Sequence, residues 1–162
     1  MDQNVKKKIV VAEDDKFLSN AYRVKLTKEG FDVKMVADGQ ELMNLLQKEK
    51  PDLIILDLLM PIKDGFEALK EIKANTSLKN IPIIIASNLG QKNDIDQGKA
   101  LGASDYIIKS DLSLEDLVTK IKSFLKWNWG HFIAPISSWA SAESRRIWCD
   151  PHHPETPGWR IS

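Results

Sequence analysis

Residues 53–65 read Leu53-Ile54-Ile55-Leu56-Asp57-Leu58-Leu59-Met60-Pro61-Ile62-Lys63-Asp64-Gly65. Four consecutive apolar residues, introduced by Pro51-Asp52 and stopped by a carboxylate, make a strand buried on both of its faces. Pro61 fixes a backbone angle in the loop after Asp57, and Gly65 permits a helix start that a side chain would strain. From Gly65 to about Ala74 the apolar residues Phe66, Leu69 and Ile72 share one helical face.

Outward from this unit the same pattern repeats. Ile9-Val10-Val11-Ala12 is a β-branched run that ends in Glu13-Asp14-Asp15. Phe17, Leu18, Ala21, Val24, Lys25 and Leu26 then follow helical spacing up to Gly30, which stands where a helix C-terminal glycine would. Val33–Val36 is a second strand, and Asp38-Gly39 is a turn placed to cap a helix over Gln40–Glu49. Pro82 precedes the strand Ile83-Ile84-Ile85-Ala86-Ser87, and a weaker helix over Gln91–Leu101 ends at Gly102. Tyr106-Ile107-Ile108-Lys109 is the fifth strand. Ser113 and Asp116 form a capping box for a last helix whose apolar positions are Leu114, Leu117, Val118, Ile121 and Leu125. Strands separated by single helices are βαβ units, and right-handed crossovers favour an open, doubly wound α/β sheet. In such a sheet the ligand site lies at the carboxyl ends of the strands.

Those ends carry Glu13-Asp14-Asp15, Asp57, Ser87 and Lys109. Packed carboxylates repel, a hard cation relieves the cost, and oxygen-only ligands suit Mg²⁺. A cation held by acids beside a carboxylate, a lysine and a hydroxyl is what phosphoryl transfer to an aspartate needs. Singly, each residue has a plainer use. Asp15 serves equally as N-cap of the first helix or as a ligand, and Met60-Pro61 and Asp64-Gly65 shape the loop without doing chemistry.

The whole chain has 162 residues, 23 basic and 23 acidic side chains and one cysteine. Zero formal charge argues against a protein gripping nucleic acid mainly by electrostatics, and one cysteine excludes an internal disulfide framework and fits a reducing cytoplasm. The longest apolar stretches are too short to cross a bilayer, and the start of the chain does not read as a signal peptide. Composition changes sharply after Lys126. All five Trp, all three His and Cys149 follow it, whereas every Lys lies at or before it. Domain one is therefore read as 1–126. Residues 127–162 read as an irregular extension with no recognisable output domain, either a genuine variable tail or a read-through, frameshift or junction product. Cys149, His152 and His153 lack the second ligand pair of a zinc site.

The front segment resembles the receiver domain of two-component response regulators, a CheY-like, flavodoxin-like family, in its single-domain form. The residues that carry the resemblance are Ile9–Asp15, Asp57–Gly65, Ala86-Ser87-Asn88 and Gly102–Lys109, in order and spacing. It implies a five-stranded parallel sheet of order 2-1-3-4-5 with five helices. It further implies Asp57 as phosphoacceptor for a histidine kinase or histidine phosphotransfer protein. Glu13, Asp14, Asp57 and the backbone carbonyl of Leu59 would hold Mg²⁺, Lys109 and Ser87 would contact the phosphoryl group, and Tyr106 would reorient with Ser87. An effector would dock on residues 91–126, with no direct DNA contact, no membrane, and no catalysis beyond the domain's own phosphorylation and dephosphorylation. Two departures stand out. Ser110 replaces the usual proline after the lysine, so a trans bond is expected, and Asn88 replaces a very small residue. With Leu59 and Leu89 both apolar, slow loss of phosphate is expected. A magnesium-dependent aspartyl-phosphate phosphatase is the alternative from another class, but it would need an acid at Leu59 and a cap domain. A phosphate-independent docking module is the third reading.

Overall fold

The computed structural model describes residues 5–125. The expectations for Cys149, His152, His153, the tryptophans and the status of the tail lie outside the described residues. Five strands alternate with five helices: β1 Lys8–Ala12, α1 Lys16–Lys28, β2 Asp32–Val36, α2 Gly39–Lys48, β3 Leu53–Leu56, α3 Gly65–Ala74, β4 Ile83–Ser87, α4 Lys92–Ala100, β5 Asp105–Ile108 and α5 Leu114–Phe124. All four pairings are parallel, in the order β2-β1-β3-β4-β5. The doubly wound sheet and its strand order are as expected, with helix and strand limits shifted by one or two residues.

Burial explains the composition of the strands. Every residue of β3 and β4 is buried, as continuous apolar runs covered by helices on both faces require. One core face combines Val10, Ile54, Leu56, Ile83 and Ile85 from the sheet with Leu42, Leu46, Leu69 and Ile72 from α2 and α3.

The helix starts follow their local chemistry. Asp15, Asp38 and Asp64 each cap a helix by accepting from the backbone N–H three residues on, at 2.9, 2.8 and 2.9 Å. The capping box of α5 is reciprocal: Ser113 Oγ accepts from Asp116 N–H at 3.2 Å, and Asp116 accepts from Ser113 N–H at 3.3 Å. Gly30 and Gly102 end α1 and α4 with φ of +94° and +102°, a region costly for side chains. Two apolar residues of the α1 pattern do not join the core. Phe17 and Val24 are 83% and 58% exposed, because α1 buries the stripe of Tyr22 and Leu26 instead. None of the described peptide bonds is cis, so Lys109–Ser110 is trans as expected. Among the described residues no helix is long and apolar enough to cross a membrane.

Candidate functional site

Parallel register brings the strand ends to one edge and holds them by main-chain bonds. Asp57 N–H donates to Ala12 carbonyl at 3.0 Å, Glu13 N–H to Val36 carbonyl at 3.0 Å, and Lys109 N–H to Ser87 carbonyl at 2.9 Å. Residues 22 to 45 positions apart thus become neighbours through main-chain bonds between the strand ends. Gly65 closes the other side. Its N–H donates to Leu58 carbonyl at 3.0 Å, and a Cβ there would stand 2.1 Å from the Asp57 carbonyl oxygen.

Glu13, Asp14 and Asp57 gather ligand oxygens that all lie within 4.8 Å of one another. Glu13 and Asp57 are 3% and 5% exposed, whereas Asp14 faces outward. Such a set of hard oxygen donors fits a divalent cation that favours oxygen, open to solvent on the Asp14 side. The Lys109 ammonium sits between the two buried acids. It donates to Asp57 at 2.8 Å and also to Glu13, and it is itself nearly buried. Burial pushes the Glu13 carboxyl above its ordinary range, with Lys109 opposing and Asp57 reinforcing. Burial alone would lower Lys109, but its bonds to Asp57 and Glu13 outweigh that and hold it above the usual lysine value.

Ser87 is fully buried at the end of β4, and its Oγ accepts from Leu89 N–H at 3.3 Å. Tyr106 is half-buried on β5, and its hydroxyl donates to Leu89 carbonyl at 2.6 Å. Burial raises its phenol, and nearby Asp94 adds to the effect. Both side chains therefore contact the one segment 87–89. Leu59 N–H donates to Asp57 Oδ1 at 3.3 Å, and the Leu59 side chain is 56% exposed. Asp15, left open between cap and ligand by its sequence, is an N-cap and stands outside the carboxylate group.

Two features were not legible from motif spacing. The bond between Lys109 and Glu13 joins residues 96 apart, and only the fold brings them together. Tyr22 lies within the field of Lys109, Glu13 and Asp57, and burial pushes its phenol upward. The i, i+4, i+8 spacing of Leu18, Tyr22 and Leu26 is the signal that would have placed it inward.

Comparison with known proteins agrees with this geometry. A curated relative, the probable transcriptional regulator ycf27 of Guillardia theta, is 32% identical over 126 residues, which is 78% of this chain and 48% of that protein. The chain thus spans about half the length of that relative. The Mn²⁺-bound form of response regulator Rcp1 superposes with a TM-score of 0.67 at 32% identity, covering 74% of this chain and 94% of that one. The phosphorylated cyanobacterial phytochrome response regulator RcpA gives 0.65 at 35% identity, covering 75% and 93%. The response regulator receiver domain pattern itself matches residues 9–122, from the first buried strand residue to the last turn of α5. With order, register and carboxylate edge all in agreement, the chain belongs to the response regulator receiver domain family.

Proposed function

We propose that residues 1–126 form a phosphorylation-dependent switch in a cytoplasmic two-component relay, with Asp57 as the acceptor. The observation that carries this reading is the Lys109 ammonium bonded to both Asp57 and Glu13, with Asp14 beside them. In the reaction an Asp57 oxygen attacks the phosphorus of a donor phosphohistidine. The P–N bond breaks, the imidazole leaves with the bonding pair, and the carboxylate becomes an acyl phosphate. Glu13, Asp14, Asp57 and the Leu59 carbonyl would hold Mg²⁺, which supplies charge neutralisation for the phosphoryl oxygens.

The protein's own groups do the rest. Lys109 keeps its proton and faces Asp57, so it offers a charge-assisted bond to the transferred group. The Ser87 hydroxyl rotates to donate to the same oxygens, which frees the Leu89 N–H it now accepts from. Because Tyr106 holds the carbonyl of Leu89, movement of segment 87–89 passes to β5 and to the surface 91–126, where an effector protein would read it. The Guillardia relative is named a transcriptional regulator, so control of transcription through such an effector is the downstream role we favour. Supporting the metal and phosphate assignments, Rcp1 is described with Mn²⁺ bound and RcpA as phosphorylated. Position 59 carries an exposed leucine where the phosphatase reading needs an acid.

Labelling with acetyl phosphate or a cognate kinase in Mg²⁺ should yield a phosphoprotein that hydroxylamine cleaves, as an acyl phosphate requires, and the label should be lost in Asp57→Asn. Undiminished labelling of that variant would overturn the assignment. The same labelling in a chain ending at Lys126 tests whether residues 1–126 suffice.

A further inference from the structure

α4 buries a single residue, Gly98, fewer than any other helix. Its N-cap, Gln91, makes no side-chain bond, unlike Asp15, Asp38 and Asp64. Glycine inside a helix is less stable than alanine, so local propensity does not explain position 98. Space does. A Cβ on Gly98 would stand 2.6 Å from Ile85 Cδ1, and 3.1 and 3.3 Å from Tyr106 Cδ2 and Cε2. Ile85 and Tyr106 are register partners on β4 and β5, and Gly98 lies against both. The backbone here is pinned, since Gly98 carbonyl accepts from Ala103 N–H at 3.1 Å and Ser104 N–H donates to Ile83 carbonyl at 2.8 Å. Ile85 is enclosed by the core, whereas Tyr106 is half-buried and has an open side. The tyrosine ring is therefore the neighbour that yields to a side chain at 98, and the tip of Ile85 then turns into the space it leaves.

We propose that Gly98 is a positioning residue for the switch: its missing side chain seats the Tyr106 ring against α4, and the seated hydroxyl holds the Leu89 carbonyl. That bond, at 2.6 Å, links α4 to segment 87–89. Ser87 bonds the N–H of Leu89 and Tyr106 its carbonyl, so a change at Ser87 reaches α4 only while the ring is seated. With a side chain at 98 the ring swings out, the Leu89 carbonyl is released, and α4 no longer follows the segment. The seating itself stands on the packing of Gly98, Ile85 and Tyr106. Its bearing on signalling rests on the reading of Asp57 as phosphoacceptor.

The chain has two tyrosines, so ¹³C-labelled tyrosine in the full chain reports on Tyr106 with Tyr22, 6% exposed, as internal control. In Gly98→Ala the Tyr106 ring signals should shift and relax severalfold faster beside a soluble nitroxide, with Tyr22 unchanged. Urea melts give a second readout. Gly98→Ala should lower the midpoint of the unmodified chain. In a Tyr106→Ala background it should raise it, because only alanine's helix preference, about fivefold in the folding constant, is then left to act. A Gly98→Ala chain that folds only in that background is the same reversal at its limit. With Mg²⁺ and beryllofluoride, a mimic of an aspartyl phosphate, amides of 87–89 should respond in both chains, and those of 92–100 only with Gly98 present. The proposal falls if the Tyr106 signals ignore Gly98→Ala, if the melts change in the same direction in both backgrounds, or if α4 responds equally in the variant. If beryllofluoride leaves 87–89 of the unmodified chain unmoved, the phosphoacceptor reading fails instead, and the tyrosine signals and melts still decide the seat of the ring.

Discussion

Lys109 is the residue on which the site's electrostatics turn. Two buried carboxylates, Glu13 and Asp57, share its one ammonium, so removing it leaves two like charges in a poorly solvated place. Breaking a buried pair from one side costs about 3–5 kcal/mol. Lys109→Met should fall in that range. The sign of the pH dependence follows from the raised lysine. The folded state binds that proton more tightly than the unfolded chain, so the pairing is fully present below the ordinary lysine value of about 10.4. It is lost as pH rises through the still higher folded value. Urea melts in chelator should therefore show a constant difference between wild type and Lys109→Met from pH 7 to 9, shrinking above pH ~10.4. A difference that grows there would refute the pairing.

Among the elements, the β3–α3 connection carries the tightest geometry. A Cβ on Gly65 would meet the Asp57 carbonyl oxygen at 2.1 Å and Leu58 Cα at 2.7 Å, both backbone atoms that cannot swing away. Gly65→Ala should cost about 3 kcal/mol in urea melts and also weaken Mg²⁺ binding, since the shift falls on Asp57. A neutral melt would show that the loop relaxes freely. Three residues earlier, Ile62 has φ of +68° and is 83% exposed, held by a turn in which Lys63 N–H donates to Pro61 carbonyl at 2.7 Å. A β-branched side chain in the left-handed region is strained, and no packing offsets it there. Ile62→Asn should stabilise the protein by about 1 kcal/mol, read as a higher denaturant midpoint at unchanged slope. A lower midpoint would mean that the isoleucine makes contacts the turn hides.

At the scale of the whole molecule, stability is graded across the sheet. β3 lies between β1 and β4 and is buried throughout, whereas β2 at one edge is only half-buried. Amide hydrogen exchange should be slower in Leu53–Leu56 than in Asp32–Val36 by roughly a hundredfold or more. Equal rates would mean that the sheet opens only as one unit.

Most of the architecture is local and could be read without coordinates. Runs such as Leu53–Leu56 and Ile83–Ser87, the caps Asp38 and Ser113, and the stops at Gly30 and Gly102 each follow from neighbours within a few residues. The acidic edge was legible as well, because parallel βαβ units send every strand end to the same side. Other features depend on which atoms meet across long separations. The fold alone brought Lys109 onto Glu13, assigned Asp15 to a helix cap and left Phe17 in solvent. It also turned Tyr22 inward. Periodicity tells which side of an element is apolar, but the rotation of α1 against the sheet is decided by packing with β2 and α5. Sequence determined the residues of this site and the edge they occupy, and tertiary structure decided their pairings.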